Sequence, residues 1–396
     1  MRAPTVTPAL AAVNGAGRIT SLTDTGWHTV DAKGIWRPFA LGQHELSFGF
    51  HHDLYALENP VYNTSNWRYG SGESIFSNSR GKTRTEGYWL QDAWDFHEDW
   101  NLTLGGRLEN WQAYDGLNSA TVGGVLATVN QSERDELEFS PKAKLTWKPL
   151  DRVQMGAAIG QAYRFPTVTE LFQTSLIPAT NTLVNGNPGL KPEEALSSEL
   201  SGEYFLDQGR PRLSLFHERV YDAIFSQRDI ALTALNNNIT VNTIQNVDEV
   251  NTYGIEFSGE AADVGIAGLD LAGSATWTDS SITRNDANPN SVGKRQPRIP
   301  EWRATATVTY RPTDKLSTSV SGRYSSEQFG QLDNSDTNHF TYQGTGSFFV
   351  VDLRAKYQFT RQISASAGID NVNDYQYFIF HPFPTRTYFA ELKYNY

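Results

Sequence analysis

Residues 351–359 read VDLRAKYQF and alternate apolar and polar side chains at every step. Successive side chains of a β-strand point to opposite sides, so this stretch would present an apolar face that includes Leu353 and a polar face that includes Arg354. Residues 302–310, WRATATVTY, repeat the pattern. In a chain that is 39% hydrophobic, chance supplies about half of one such window. The two windows therefore indicate strands with one wet and one apolar face, but they do not fix the architecture.

The connections between such stretches are more informative. Reading back from Tyr396, short turns and long polar segments alternate and never exchange places. The short turns are TRQ at Thr360, RPTDK at Arg311, DQGR at Asp207, KPLD at Lys148 and HED at His97. The long segments are 58–82, 115–134, 165–194, 227–245, 283–297 and 327–346. Short turns on one rim and long loops on the other are typical of an outer-membrane β-barrel. The pattern predicts an all-β, transmembrane antiparallel β-barrel with about fifteen strands from Trp27 onward, or about sixteen if residues 11–22 form another.

Composition removes several classes of protein. The chain has no Cys and only two Met, which excludes disulfides and argues against thiolate or thioether metal sites. Its formal net charge of -11 argues against a nucleic-acid partner, because such proteins carry a basic patch. No run reaches the ~18 apolar residues of a spanning helix. Residues 1–17 also lack the charged start and apolar centre of a signal peptide.

Aromatic residues gather near the predicted short-turn and terminal ends of strands, where a girdle would meet the lipid interface. They are Trp36, Trp89, Trp94, Trp100, Trp147, Tyr310, Tyr357, Tyr394 and Tyr396. Residues 385–396 alternate except at Phe389 and stop on an aromatic residue. By analogy with bacterial outer-membrane proteins, Tyr394 and Tyr396 would be the signal that the assembly machinery reads. The alternative is an ordinary final edge strand.

Residues 163–172, YRFPTVTELF, interrupt the alternation. They are too apolar for an ordinary solvent loop, and Pro166 both removes a backbone donor and restricts Phe165. We therefore expect an extended loop and no helix in this stretch. A polar run punctuated by proline, NGNPGLKPEEALSSELSGEYFL, begins at Asn185.

These two stretches together resemble the barrel of TonB-dependent outer-membrane receptors, in which one strand ends at Arg-x-Pro-Thr and Asn-Pro-x-Leu-Lys-Pro-Glu leads into the next. Other pieces follow in the family's order: YWLQDAWDFHEDWNLTLGGRLE from Tyr88, FSPKAKLTWKP from Phe139, NVDEVNTYGIEFSGE from Asn246, GKRQPRIPEWRATATVTY from Gly293 and GIDNVNDYQYF from Gly368. The resemblance spans residues 88–396 and continues weakly back to about Trp27. The motif residues are interpreted as structural, because they end ladders and aim strands. They are Arg164, Pro166, Glu170, Leu171, Asn187, Pro188, Leu190, Lys191, Pro192 and Glu193.

The resemblance implies a barrel of about 22 strands, filled by an N-terminal plug with a short segment that contacts TonB. No part of this sequence resembles the plug or that segment. We therefore expect residues 1–396 to be a partial barrel domain, with Met1 an internal or miscalled start. The coding DNA upstream of Met1 would then continue in frame through about six or seven more strands, the plug and a signal peptide.

No catalytic constellation is evident, and we expect no enzymatic activity. His51, His52 and Asp53, at the predicted outer end of a strand, include potential metal ligands, but only His51 and Asp53 would share a face. The loop QLDNSDTNHFTYQ contains Asp333, Asp336 and His339 without the spacing of a known calcium loop. A solvated loop is the plainer interpretation of that segment.

The densest aromatic loop, YQYFIFHPFPTRTY, places rings beside a cation, which suits a planar, anionic ferric-siderophore complex and also suits packing at the membrane interface. The candidate ligand contacts are Tyr377, Phe378, Phe380, His381, Phe383, Arg386 and, from the preceding loop, His339.

The resemblance implies a receptor in the outer membrane that captures a scarce nutrient, most often a ferric siderophore or another metal complex, and imports it with energy from TonB. Its expected partners are outer-membrane lipid, the metal-complex ligand and the TonB system. The alternatives are a plugless, porin-like passive channel and a secreted β-rich binding protein or enzyme.

Overall fold

The computed structural model describes residues 15–38, 42–122, 125–177, 182–228, 233 and 240–396, and these residues are almost entirely β-structure. The strands are β1 (Gly17–Thr20), β2 (Gly26–Trp36), β3 (His44–Glu58), β4 (Val61–Thr64), β5 (Ser74–His97), β6 (Trp100–Val122), β7 (Val125–Asn130), β8 (Arg134–Leu150), β9 (Val153–Arg164), β10 (Thr174–Ile177), β11 (Thr182–Asn185), β12 (Glu193–Tyr204), β13 (Arg212–Arg228), β14 (Thr240–Ala261), β15 (Leu269–Arg284), β16 (Trp302–Thr313), β17 (Leu316–Ser325), β18 (Phe348–Gln358), β19 (Ile363–Asp370), β20 (Phe378–Ile379), β21 (His381–Pro382) and β22 (Thr387–Tyr394).

Fifteen of the described strands form one continuous antiparallel ladder, which we call the wall. In order, these are β2, β3, β5, β6, β8, β9, β12, β13, β14, β15, β16, β17, β18, β19 and β22. The predicted fifteen strands from Trp27 onward are therefore confirmed. Within the described residues 15–22, no additional strand joins the wall. Of these residues only Gly17–Thr20 is described as a strand, and it pairs with β4 outside the wall; residues 1–14 lie outside the described ranges.

The connections alternate as predicted. Turns of seven residues or fewer join strands at one rim, and longer segments join them at the other. Several long segments are shorter than expected because strands extend into them: β5 has 24 residues and β6 has 23. A strand needs only about 9–11 residues to cross the membrane. The extra length rises beyond the lipid on the long-loop side, which is the outer side in barrels of this kind.

The two faces of the wall differ as the alternation predicts. Along β18, Leu353 lies opposite Val320 on one side and Ile369 on the other, within an apolar outer face. Arg354 points inward, lies over the Phe389 ring with 4.3 Å between the guanidinium carbon and the ring centroid, and pairs with Asp370. Phe389, the residue that broke the alternation of the last strand, therefore faces inward and covers Gly368, where a Cβ would come within 2.3 Å of its ring.

Most of the predicted girdle residues lie near strand ends, but Trp89 does not. It sits within β5 and faces inward, where its ring covers Gly49. A Cβ at residue 49 would approach the indole within 2.6 Å. The girdle assignment of Trp89 is therefore wrong, because the glycine on the neighbouring strand makes room for the ring inside the wall.

One helix, α1 (Val168–Phe172), follows β9, so the expectation of no helix in residues 163–172 is wrong. Pro166 precedes the helix and therefore breaks none of its hydrogen bonds. No helix within the described ranges has the length and apolar character needed to cross a membrane.

Both ends of the ladder are exposed. Among the described residues, β2 pairs only with β3, and β22 pairs only with β19. All eight residues of β22 are exposed, and Leu392 and Trp27 reach 75% and 73% exposure. With fifteen strands in antiparallel succession, the first and the last run in the same direction.

The outward position of Leu353 predicts a difference between two neighbouring substitutions. Leu353→Arg should lower the free energy of unfolding by about 2–4 kcal/mol if the site lies near the bilayer midplane, because a cation there faces lipid. Arg354→Leu should cost much less, since Arg354 is inside and partly exposed. Denaturant titration in lipid vesicles measures both, and the reverse order of costs would show that the faces are assigned wrongly.

Candidate functional site

Two segments occupy the outer mouth of the wall and contain nearly all the candidate residues. We call residues 165–177 and 182–192, the described parts of the connection between β9 and β12, the brace, because they contact the wall from β3 to β14. We call residues 326–347 together with 371–386 the platform, because their backbones pair with each other. The two segments differ in what they bury, and this difference separates structural residues from candidate ligand contacts.

The brace begins with α1, which a reciprocal capping box holds in place. The Thr167 side chain accepts from the backbone N–H of Glu170, and the Glu170 carboxylate accepts from the backbone N–H of Thr167 at 2.8 Å. This T-x-x-E pattern is visible in the sequence and signals a helix start. Leu171 and Phe172 project from α1 into the wall and are 1% and 2% exposed.

Phe172 fits a slot that two glycines leave open. A Cβ at Gly81 on β5 would come within 2.2 Å of the Phe172 ring, and one at Gly116 on β6 within 2.6 Å. Asn118 donates to the Phe172 carbonyl at 2.6 Å. Phe165 stacks on Trp111, with ring centroids 5.6 Å apart and planes nearly parallel. The brace is thus seated on the inner surface of the wall.

Arg164 ties the start of the brace to its end. Its guanidinium donates to both oxygens of Glu193, at 2.5 and 2.9 Å, and contacts Glu170 at 3.1 Å. Glu193 also accepts from the backbone N–H of Ile224 on β13. Three nitrogens of this guanidinium thus contact two carboxylates, which accounts for most of its hydrogen-bonding capacity.

The returning part of the brace is held by buried and polar contacts. Leu190 is fully buried, and the carbonyls of Pro188 and Leu190 accept from Arg134 on β8 at 2.9 and 2.6 Å. Asn187 closes a turn by accepting from the N–H of Gly189. Lys191 contacts Asp222 at 3.3 Å. Pro166 is fully buried, and Pro192 immediately precedes β12. The assignment of these motif residues to structure remains a prediction, with contacts that agree with it.

The platform is one unit made from two loops. The N–H of Gln343 donates to the Phe380 carbonyl at 2.7 Å, and the N–H of Phe380 donates to the Gly344 carbonyl at 2.9 Å. Phe380 lies between β20 and β21 with φ at 64°, in the left-handed region. A non-glycine residue there is held by its surroundings. The pairing with the neighbouring loop provides that support.

The candidate contacts divide into buried and exposed residues. Tyr377 is 3% exposed and packs on Phe348, at 4.5 Å between ring centroids, and on Phe383 at 5.0 Å. Burial raises the pKa of the Tyr377 phenol above its ordinary value, with Arg323 opposing that rise. Phe380 and Phe383 remain 46% and 44% exposed. Tyr377 is therefore a support for the exposed rings.

His381 and Arg386 lie at the outer surface of the platform. His381 is exposed, and its ring approaches Phe380 edge-on at 4.9 Å. Phe378 meets Tyr342 edge-on at 6.0 Å. Arg386 is exposed, but two of its nitrogens donate to the Val372 carbonyl, so much of its hydrogen-bonding capacity is used within the loop.

Two exposed rings of the platform were missed from the sequence. Tyr342 is 67% exposed and Phe340 is 47% exposed. Both lie in the segment FTYQG, residues 340–344, so the sequence shows that this loop carries two aromatic side chains. They lie beside residues 371–386 because the backbones of the two loops pair, and no local sequence pattern predicts that pairing.

The acidic loop residues do not converge on His339. Asp336 accepts from the N–H groups of Gly330 and Gln331, and Asp333 accepts from the N–H of Ser335. His339 is 8% exposed and meets Phe329 edge-on. Its burial makes it a packing residue of the platform in this conformation, so direct contact with an incoming ligand would require it to move.

The HHD sequence lies in the middle of β3, not at its outer end as expected. His51 and Asp53 share the inner face as predicted, and the two imidazole nitrogens of His51 contact Asp31 at 2.7 Å and Asp53 at 3.0 Å. With each nitrogen facing a carboxylate, His51 bridges two strands and does not present a free ligand atom.

Within the described residues, one group of three potential metal ligands has its ligand atoms close together: His97, Glu98 and Asp99. It lies in the turn between β5 and β6, and all three residues are exposed. The N–H of Asp99 donates to His97 Nδ1 at 3.2 Å, which already uses that nitrogen. The sequence predicted a turn here, and the contacts are those of a turn.

The wall with an apolar outer face, short turns on one rim and packed outer loops defines an outer-membrane β-barrel protein. The family model "TonB dependent receptor-like, beta-barrel" matches residues 6–372, so the chain belongs to that family, which consists of receptors and transporters and not of enzymes. The chain is 25% identical over 341 residues to the iron-regulated outer membrane virulence protein of Vibrio cholerae serotype O1, covering 84% of this chain and 46% of that protein.

Two further comparisons agree with this assignment. A probable TonB-dependent siderophore receptor of Acinetobacter baumannii, PirA, is 24% identical, and the match covers 65% of this chain and 38% of the receptor. Among solved structures, the copper transporter OprC superposes with a TM-score of 0.71 at 18% identity, covering 93% of this chain and 56% of the transporter. The chain spans about half the length of these proteins or less, and the structural likeness shows a shared fold.

The Phe172 slot predicts a non-additive pair of substitutions. Phe172→Ala should lower the free energy of unfolding by about 3–5 kcal/mol because it empties a packed site. Gly81→Ala should also destabilise, since its Cβ collides with the ring. The double variant should lose less free energy of unfolding than the two single variants lose together, because the new methyl group occupies part of the space that the ring vacates.

Denaturant titration in lipid gives the coupling, and limited proteolysis within residues 165–192 reports whether the brace has come free. Gly202→Ala is the matched control, since a Cβ there meets nothing within 4 Å. Strictly additive costs for the pair would show that Phe172 does not occupy the slot.

Proposed function

We propose that this chain supplies most of the barrel of an outer-membrane receptor that captures a metal complex, most simply a ferric siderophore, and imports it with energy from TonB. Family membership supports import across the outer membrane. The relatives named for iron regulation, siderophores and copper support a metal-bearing cargo. The observation that carries the ligand assignment is the cluster of exposed rings on the platform.

The platform suits such a cargo by its chemistry. Phe340, Tyr342, Phe380 and Phe383 remain 44–67% exposed beside His381 on an outer surface. Aromatic faces pack against planar ligands, and large exposed apolar patches mark binding sites. The backbone pairing of the two loops fixes the spacing of these rings before a ligand arrives, which reduces the entropy lost on binding.

We further propose that the chain is a partial barrel, and the support is geometric. The edge strands β2 and β22 run in the same direction, so direct closure would need a parallel pair in an otherwise antiparallel wall. Bacterial barrels of one chain have even strand numbers. An odd number of further strands between β2 and β22 restores antiparallel pairing throughout, and seven would give the strand number that the family resemblance implies.

This geometry also weakens the alternative of a small, plugless porin. Such a channel would have to close with these fifteen strands or leave two rows of backbone groups unpaired in lipid. Each unpaired group costs several kcal/mol in the bilayer core. The family assignment disfavours a secreted binding protein or enzyme independently of closure.

The ligand assignment predicts the effect of removing one exposed ring. Phe380→Gly should weaken capture of a ferric siderophore about tenfold or more, because loss of an aromatic anchor costs about 2 kcal/mol. Glycine also tolerates the left-handed φ of this position, so the loop should keep its path. Binding and uptake of radiolabelled ferric complexes of the catecholate and hydroxamate classes would be measured in cells that make the protein from its own gene.

Tyr377→Phe is the control, since that ring is buried and the change keeps its packing. Unchanged uptake in Phe380→Gly would place the ligand elsewhere. Absence of uptake of both complexes by the unaltered protein would instead overturn the siderophore assignment.

Partial closure predicts the outcome of cross-linking the two edges. The chain has no Cys, so Val30→Cys with Ala390→Cys provides a unique pair near the middles of β2 and β22. In outer membranes of cells expressing the native gene, we expect no disulfide, because cysteines more than ~7 Å apart at Cα cannot bond. Val320→Cys with Leu353→Cys, on paired strands, is the positive control. A high yield at 30–390 would show that the fifteen strands close on themselves.

A further inference from the structure

The wall is split at its outer end between β8 and β9. The ladder between these strands runs from Leu150 and Val153 up to Lys142 and Gly160 and then stops. Both strands continue beyond that point, β8 through residues 141–134 and β9 through residues 161–164. Beyond the last pair, no residues of these two fully described stretches are in register with each other.

The split is not caused by the strands ending or fraying, because each keeps its other neighbour. β8 stays paired with β6 up to Arg134, which lies opposite Ala113. β9 stays paired with β12 up to Arg164, which lies opposite Glu193. The wall therefore separates into one part that ends with β8 and another that begins with β9.

Elsewhere, where a ladder ends early, a loop takes over the exposed backbone. Above the β18–β19 ladder, the N–H of Val372 donates to the Val351 carbonyl, and Asn373 accepts from the N–H of Val351. Above the β15–β16 ladder, the N–H of Ile282 donates to the Lys294 carbonyl. In the described structure, no loop backbone bonds in this way to residues 134–141 or 161–164.

Pro141 accounts for the position of the split. It lies opposite Gly106 in the β6 ladder and immediately beyond the last β8–β9 pair. Proline has no N–H to donate, and within sheets it is confined to unpaired edges, strand starts and bulges. Pro141 keeps its place in the ladder with β6. Its missing N–H therefore lies on the opposite edge of β8, and the pairing that is lost is the pairing with β9.

Side chains and the brace span the split in place of the backbone. The Tyr163 hydroxyl of β9 interacts with Glu138 of β8, and Gln161 donates to Tyr163 and to Glu194 of β12. Arg134, at the top of β8, donates to the carbonyls of Pro188 and Leu190 in the brace. A few separate side-chain hydrogen bonds yield more readily than a continuous backbone ladder.

We infer that the outer half of the β8–β9 junction is a hinge in the barrel wall, where the part ending with β8 and the part beginning with β9 move relative to each other. The brace crosses this hinge on the inner side and is anchored to both parts, by Phe172 on β5 and β6 and by the pairing of β11 with β14. Movement at the hinge therefore changes the width of the outer mouth and the position of the brace together. The inference concerns the wall and does not depend on the identity of the ligand.

Disulfide formation tests the split directly. Ser140→Cys with Ala162→Cys joins positions that would be opposite each other if the ladder continued, whereas Lys144→Cys with Ala158→Cys joins positions that are paired. The two pairs lie on the same strands, each two residues from the last registered pair, Lys142 and Gly160. In outer membranes from cells expressing the full gene, we expect efficient oxidation at 144–158 and a yield at least about tenfold lower at 140–162, since distant cysteines cannot bond. Equal yields would overturn the split.

Adding Pro141→Val to each pair separates the role of proline from other causes. This change restores the N–H, so the 140–162 yield should rise towards that of the control while the 144–158 yield stays the same. No rise would overturn the assignment of the hinge to Pro141. Amide hydrogen exchange gives the motion: the amides of residues 135, 137 and 139, on the edge of β8 away from β6, should exchange about tenfold or more faster than those of residues 143, 145 and 147, and equal protection would overturn the hinge.

Discussion

The structure depends on one constraint, which is that backbone N–H and C=O groups inside a lipid bilayer must find partners within the protein. The wall meets this constraint strand by strand, because every interior strand is paired with a neighbour on each side. The same constraint gives meaning to the places where pairing stops. The exposed edges of β2 and β22 are the basis for the proposal that further strands complete the barrel, and the unpaired stretch beside Pro141 marks a local weakness. The apolar outer face follows because, once the backbone is paired, only side chains meet the lipid.

The brace and the platform are both held by buried side chains and hydrogen bonds, but they differ in how many apolar side chains they leave exposed. The brace buries its apolar residues against glycines and ties its ends through Arg164, and these contacts agree with the prediction that its motif residues are structural. The platform also has a buried support, formed by Tyr377, Phe348 and the backbone pairing of its loops, but it leaves several rings outside. A ligand surface needs both properties, because exposed rings bind well only when their positions are already fixed. The contrast explains why the most recognisable sequence motif and the best ligand candidate lie in different loops.

Much of the wall could be predicted from the sequence because a period of two is a local property. Once lipid covers one face, the alternation around Leu353 and Arg354 assigns both faces correctly. The failures have equally specific causes. The α1 helix was missed because Pro166 was weighed as a helix breaker, although a proline ahead of Thr167 leaves the capping box with Glu170 intact. Trp89 was misplaced because its orientation depends on Gly49 of another strand. Neither the pairing of the two platform loops nor the burial of His339 has a local signature, so these contacts could be found only in the structure.

The direction shared by β2 and β22 also fixes how the described wall is threaded through the membrane. Each of these strands descends from the long-loop rim to the short-turn rim, so the chain enters the wall at the cell surface and leaves it on the periplasmic side. β1, which pairs with β4, places residues 17–20 on the outer side as well. An antibody epitope or a small fluorogenic tag inserted near residue 24 would accordingly face the medium, whereas one attached after Tyr396 would be reached only from the periplasm. The two ends of this wall therefore offer separate handles, one for counting the protein on living cells and the other for recovering it from opened cells.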